Sequence, residues 1–346
     1  MTAANSVSRL PARPGAARPR PDPRVARWIR TELRTVPPKA RSLIVTVWGD
    51  AIAPHGGAVW LSGLIRLLAP LGLNERLVRT SVYRLAREGW LAARQDGRRS
   101  LYRLTDQGLR RFEHAYRRIY AAPADWDGRW EIVLAPAAAL REHERRDLRK
   151  ELWWEGFGNI IPGVFVRPAR AGPADVLTEI LRTLGVERRV SVVTGHDAPG
   201  QDTRHLHALV RDCWDLAALA AEYRMFLHRF EVVIRNFRDG SGLDPQQCFV
   251  VRSLLIHAFR RVTLHDPQLP SALLPADWPA AAAYSLCREF YMLAEEKAER
   301  HLEMTLETEQ GPLLPAAAYF YLRFGGLSHK CLAATPRTRR RRAPGS

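Results

Sequence analysis

Residues 76–105, "RLVRTSVYRLAREGWLAARQDGRRSLYRLT", decide the reading of this chain, and eight of the thirty are arginine. Beneath the cations the apolar pattern is orderly. Leu77, Val78, Val82, Leu85 and Ala86 recur at helical spacing and predict one buried stripe. Asn74 suits the N-cap of that helix, Glu75 its positive end, and Gly89 its C-terminal stop. The opposite face presents Arg76, Arg79, Thr80, Tyr83, Arg84 and Arg87, with Ser81 beside them. "WLAARQDGRRSLYRL" then reads as two alternating segments around Asp96-Gly97, a hairpin signal, with Arg98 and Arg99 at the tip.

A helix must bury one face to stay folded, so only its outer face is free to meet a partner. Arginines and small polar residues there fit a DNA major groove, where Arg reads guanine edges bidentately and Thr or Ser reads more permissively. Arginines on a hairpin tip hold phosphates or enter the minor groove. The bland alternative is a solvated basic helix, but a solvated face gives no reason for the hairpin tip to be basic too.

Working outward, residues 39–52 carry Leu43, Ile44, Val47, Trp48 and Ala51 as a helical stripe, with the β-branched residues leaving a strand reading open. "PHGGAVWL" predicts a turn and short strand, Ser62 a cap for "GLIRLLAPLG", and Thr105 the start of a helix bearing Leu109, Phe112, Tyr116 and Ile119. The order helix, short strand, helix, basic helix, basic hairpin, helix is that of a winged helix-turn-helix.

Charge places this module in the 346-residue chain. Of the net +17, residues 1–41 carry +8, residues 42–120 carry +7, residues 121–329 carry −4, and residues 330–346 carry +6. Positive charge among the folded parts therefore belongs to the arginine-rich module, and such a module usually meets nucleic acid. With 46% hydrophobic and 26% charged residues the chain is an ordinary soluble composition for two or three domains. Its four cysteines, Cys213, Cys248, Cys287 and Cys331, form no CxxC pair and predict reduced thiols. "LLPAAAYFYL" falls short of the ~18 apolar residues a membrane span needs, and no secretory pattern is evident, so a cytoplasmic protein without membrane contact is expected.

The remaining organisation follows from changes of period. Residues 1–38 are Pro-, Arg- and Ala-rich and predict a disordered basic arm. The winged module is assigned to 39–121. Over 122–200, "RWEIVLA", "LREHERRDLRKELWWEGF", "NIIPGVFVRP", "GPADVLTEILRTLG" and "RRVSVVTG" read as strand, helix, strand, helix, strand, which suggests a small ferredoxin-like sheet. After "GHDAPGQD", residues 201–310 are helical. Leu216, Leu219, Tyr223, Phe226, Phe230, Val233 and Phe237 mark one core face, and Cys248, Val251, Leu255, Ala258 and Val262 another. Residues 311–346 are assigned to a basic tail. The fold class expected is α+β multidomain.

Several stretches, "RSLIVTVWGDAIAPHGGAVWL", "LNERLVRTSVYRLAREGWL", "GRRSLYRLT", "WDGRWEIVL" and "LLIHAFRRVTLHDPQLPSALLPADWP", resemble in the same order the PaaX family of phenylacetate-pathway transcriptional repressors. The resemblance spans roughly residues 40–305. It implies a winged helix, a ferredoxin-like middle domain similar to the CRISPR-associated small endoribonucleases, and a helical effector and dimerisation domain. It also implies a homodimer on partly palindromic operator DNA, released by phenylacetyl-CoA or a related aryl-CoA. Composition and spacing alone show only the basic reader and two further domains.

A nucleic-acid-processing enzyme, such as a metal-dependent nuclease, needs a carboxylate at the end of the first middle-domain strand. The chain has Ala135 and Pro136 there, while Asp127 lies before the strand. His205, His207 and Cys213 cluster in sequence, but HxH sets the imidazoles ~200° apart on a helix, so no metal site is predicted. No catalytic residues and no cofactor are predicted. His257, Arg260 and Arg261 share a helical face, with Asp266 and Trp278 following; arginines beside an aromatic can hold the phosphates and adenine of a CoA thioester. The structural alternative pairs Asp266 with Arg260 or Arg261 to fix a helix–loop corner.

Overall fold

The computed structural model describes residues 20–121, 126–169, 175–196, 203–238, 243–309 and 311–327. The expectations for residues 1–19 and 328–346, for Cys331, and for the linker after His196 lie outside these residues.

The described chain begins with a helix, α1 (Pro23–Thr35), where a disordered arm was expected. The dense prolines mislead here. Asp22 accepts from the Arg24 amide at 2.7 Å and Pro23 occupies the first helical position, where a missing N–H costs nothing. Val25 of α1 is fully buried, and the Trp28 indole donates to the Arg229 carbonyl at 3.2 Å.

Helix α2 (Ala40–Val47) runs directly into a π-helical turn over Trp48–Ile52, which excludes the strand alternative. Strand β1 (Ala58–Trp60) and α3 (Leu61–Leu68) follow. The N-cap position of α3 is Trp60, so Ser62 is already inside the helix and does not cap it. Helix α4 (Glu75–Arg87) is capped as expected, Asn74 accepting from the Leu77 amide at 2.9 Å. Gly89 stops it with φ 74°. Strands β2 (Leu91–Asp96) and β3 (Arg99–Leu104) pair around the loop Gly97-Arg98, and β3 also pairs with β1. Gly97, at φ 54°, supplies the left-handed first position of that two-residue loop. Thr105 caps α5 (Asp106–Tyr120) by accepting from the Gly108 amide at 2.9 Å.

The middle region corrects the sequence reading in one respect. "NIIPGVFVRP" is a hairpin of two strands, β5 (Gly158–Ile161) and β6 (Val164–Pro168), turning at Gly163 with φ 87°. With β4 (Arg129–Leu134), α6 (Glu142–Trp154), α7 (Asp175–Thr183) and β7 (Ser191–His196), the order is β-α-β-β-α-β. The four strands form an antiparallel sheet ordered β5-β6-β4-β7. Val133 and Phe165 on one face pack against Leu148 and Leu152 of α6 and Leu177 and Leu181 of α7. Trp130 and Val166 on the other face meet Leu206 and Val210 of α8 (Thr203–Cys213) and Leu269 and Leu273 of a later loop.

Three long helices follow: α9 (Leu216–Arg238), α10 (Pro245–Thr263) and α11 (Ala280–Thr305). Every core position expected on α9 and α10 is buried. The chain then forms a small hairpin, β8 (Glu307–Thr308) with β9 (Gly311–Pro312), and the short helix α12 (Ala318–Tyr321). Residues 311–327 are therefore not a solvated tail. Phe320, Phe324, Leu327 and Arg323 are buried in the same core as α2, α4, α5 and the three long helices. That core is continuous from Val25 to Leu327, so the first and third regions of the chain share one interior. None of the helices among the described residues is long and apolar enough to cross a membrane.

Candidate nucleic-acid interface

The interface is built on α4, and its inner face fixes what the outer face can offer. The buried side holds Val78, Ser81, Val82 and Leu85, an i, i+3, i+4, i+7 stripe packed largely against α2. Two expectations are corrected here. Ser81 is only 7% exposed, so it sits on the inner side and cannot stand among the outward readers. Leu77, expected in the buried stripe, is 44% exposed and lies on the outer side. The phase of the helix is set by Val78, Val82 and Leu85, which turns Ser81 inward and Leu77 toward the outer side.

Arg76, Arg79, Thr80, Tyr83, Arg84 and Arg87 are all exposed, as expected for a reading face. The one carboxylate on α4 is Glu75, which accepts from Arg79 at 2.7–2.8 Å across one helical turn. An exposed pair of this kind is worth little, so it orients Arg79 without neutralising the face.

The hairpin tip carries exposed Arg98 and Arg99. Arg99 lies over the Trp60 ring at 4.0 Å and is 3.4 Å from Glu307, while Arg94 is 2.5 Å from Glu309. The Trp60 indole donates to the Thr308 carbonyl at 3.1 Å, which ties β1 to β8. Two arginines of the β2–β3 hairpin thus meet two glutamates of a hairpin more than two hundred residues later. Sequence reading missed Arg94, Leu77 and this acidic contact; the first was visible as one more arginine in the strand, the last was not visible at all.

The residues proposed from sequence for an effector point to different partners. His257 is buried, with Nδ1 3.0 Å from the Thr46 hydroxyl of α2. Burial, and then Arg260, Arg261 and Arg229 nearby, push its imidazole down to about 4. Arg260 is half-buried and Arg261 exposed. The buried Asp266 carboxylate accepts from the Tyr223 hydroxyl and the Gln268 amide, both at 2.6 Å, and its carbonyl accepts from Arg118 at 2.6 Å. The helix–loop corner is thus fixed through Tyr223, Gln268 and Arg118. Trp278 packs edge-on to Tyr223 at 6.2 Å.

Behind the arginine-rich module lies a buried ionic cluster. Asp50, in the π-helical turn, meets Arg252 of α10 at 2.8 Å and Arg323 at 3.2 Å, and accepts from the hydroxyls of Tyr120 (2.6 Å) and Tyr291. Burial alone would raise the Asp50 carboxyl, but the two guanidiniums and two hydroxyls hold it below its usual range. Glu299 of α11 completes the set, 2.5 Å from Arg252 and 2.8 Å from His55. Among the described residues no group of three or more His, Cys, Asp or Glu is arranged to hold a metal. His205 is exposed and Cys213 is half-buried on α8.

Three family descriptions match in series: "PaaX-like protein" over residues 39–108, "PaaX protein central Cas2-like domain" over 123–207, and "PaaX-like protein C-terminal domain" over 214–304. The Escherichia coli (strain K12) protein named transcriptional repressor PaaX is 36% identical over 304 residues, which is 87% of this chain and 95% of that protein. A solved structure of an uncharacterized Mycobacterium tuberculosis protein aligns with 26% identity and a TM-score of 0.49, covering 77% of this chain and 98% of that one. Family profiles over more than two thirds of the chain, and a relative of this identity matched over 95% of its own length, lead to one conclusion: the chain belongs to the PaaX family.

Proposed function

We propose that this protein is a cytoplasmic, homodimeric transcriptional repressor that binds operator DNA through a winged helix-turn-helix. In this reading α4 is the recognition helix and β2–β3 the wing, the middle sheet is a ferredoxin-like scaffold, and an aryl-CoA such as phenylacetyl-CoA releases the DNA. The observation that carries the DNA-binding reading is the outer face of α4. Four exposed arginines and Thr80 stand there on a rigidly packed helix, beside a second exposed arginine pair on the hairpin tip. A helix seated in the major groove needs that combination, since Arg reads guanine and the tip positions the module on the backbone.

The repressor role is supported by the E. coli relative, which bears that name. The effector and the dimer rest on the family resemblance. The enzymatic alternative gains nothing from the site: β4 is followed by Ala135 and Pro136, where a metal-dependent nuclease of this architecture would need a carboxylate.

The test is fluorescence anisotropy of duplexes selected from genomic DNA by the protein itself, with and without phenylacetyl-CoA, at two salt concentrations. Specific binding that phenylacetyl-CoA abolishes, while free phenylacetate and free CoA do not, is the expected result. A ligand releases DNA only if it prefers the low-affinity state. Binding indifferent to the thioester would remove the effector from the proposal, and no duplex binding at all would remove the proposal itself.

A further inference from the structure

An open groove of about 650 Å³ runs between α4 and the N-terminus of α2, lined by Ala40, Arg41, Arg76, Thr80, Ser81 and Arg84 with Leu77 and Asn74 at its edge. Three features make it a seat for an anion. The first is the start of α2. Lys39 gives no side-chain cap, and Leu43 is the first amide of the helix to find an acceptor, the Lys39 carbonyl at 3.0 Å. The amides of Ala40, Arg41 and Ser42 have no acceptor among the described residues. A helix end of that kind carries partial positive charge and free donors.

The second feature is Ser81. Its side chain is more than nine-tenths buried, lines the groove, and makes no hydrogen bond among the described residues. Its oxygen is not sealed from solvent, so the hydroxyl opens to the groove with donor and acceptor capacity that no protein group takes up. The third is charge. Arg41, Arg76 and Arg84 line the groove and no carboxylate does; Arg41 also pairs with exposed Glu88 outside the lining, a weak surface contact that a phosphate would displace.

We infer that this groove seats one backbone phosphate of bound DNA, taken by the α2 amides, the Ser81 hydroxyl and the Arg41 guanidinium. The inference rests on the DNA-binding reading of α4 and adds to it a fixed point. A phosphate held between α2 and α4 sets the depth and rotation at which Arg76, Thr80 and Arg84 enter the groove. Ser81 then acts on DNA from the inner side of the helix, through the sugar–phosphate chain and not through a base edge.

The test uses the full chain, a mixed-sequence duplex and a potassium chloride series, read by anisotropy. Arg41→Ala and Ser81→Asp are compared with wild type and with Arg235→Ala, an exposed arginine on α9. Arg41→Ala is expected to lower the slope of log K against log salt by about one, because one phosphate contact releases about one counterion. Ser81→Asp, which puts a negative charge on the floor of the seat, is expected to weaken binding at least about tenfold with the melting temperature retained. Arg235→Ala should change neither. Wild-type binding with unchanged slope and affinity in Arg41→Ala would overturn the seat and leave the DNA reading standing. Absence of salt-dependent binding by wild type would overturn both. Arg41 is half-exposed, so its removal decides the matter even where Ser81→Asp fails to fold.

Discussion

Arg79 stands on the exposed face of α4 with Glu75 holding its guanidinium one turn back. If it reads a base edge, Arg79→Ala costs ~1–3 kcal/mol on operator DNA and relaxes preference at one base pair only. A set of duplexes with single base changes, titrated against wild type and variant, shows this as one flattened position. Uniform weakening at every position would instead make Arg79 a phosphate contact. His257 gives a second residue-scale expectation. Its folded pKa of about 4 lies below the ordinary 6.5, so the unfolded chain takes up the proton first as pH falls. Stability from this group is therefore complete above pH 6.5 and is lost between 6.5 and 4, by roughly 3 kcal/mol. His257→Asn should show a shallower fall of melting temperature across that window than wild type; equal slopes would contradict the assignment. At this scale the sequence was informative wherever a local rule applies. Asn74 and Thr105 cap the helices they were expected to cap, because a cap needs only its own first turn. The exchange of Leu77 and Ser81 was not legible, since a helix one residue out of phase satisfies nearly the same apolar pattern.

Among elements, the β2–β3 hairpin and the β8–β9 hairpin form an opposed pair, Arg94 with Glu309 and Arg99 with Glu307. Each pair is exposed and worth at most about 1 kcal/mol, yet each glutamate occupies an arginine that a phosphate would otherwise take. The double variant Glu307→Gln/Glu309→Gln is expected to bind mixed-sequence duplex a fewfold more tightly than wild type. Arg99→Ala should weaken binding to all sequences alike and lower the salt slope by about one. Unchanged affinity in the double variant would mean that the hairpin does not touch DNA. The basic hairpin itself was plain in "RQDGRR", since its turn chemistry is local. Its acidic counterpart was not, because nothing in "LETEQG" states which strand it will meet. Prolines misled at both ends of the described chain. "PDPR" reads as disorder by composition, although Asp22-Pro23 starts α1 in the same way that Asp244-Pro245 starts α10. "LLPAAAYFYLRF" looked like the lead into a tail, although its Phe320, Arg323 and Phe324 plug the core.

Over the whole molecule, the arginine-rich module is joined to the C-terminal helices by interior contacts and not by a linker alone. Asp50 and Arg252 are 202 positions apart in sequence and in direct contact, and Arg323 reaches the same carboxylate from residues first assigned to a tail. Period and charge segment a chain, but they carry no information about which segments share an interior. That is why the parts were legible and their union was not. Removing one partner from a buried ionic set leaves an uncompensated charge. Arg323→Met is therefore expected to cost ~3–5 kcal/mol of folding stability, seen as a large downward shift of the denaturation midpoint. A change within about 0.5 kcal/mol would show that Asp50 is adequately neutralised by Arg252 alone. The role assigned to α4 is tested most directly by one comparison. Wild type and the Arg76→Ala/Arg79→Ala/Arg84→Ala variant are titrated by anisotropy with a selected operator duplex and a scrambled duplex of equal length. Wild type should prefer the operator by about a thousandfold or more, and the variant should lose most of that preference while remaining folded. A folded variant that still discriminates as wild type does would show that α4 is not the element that reads DNA.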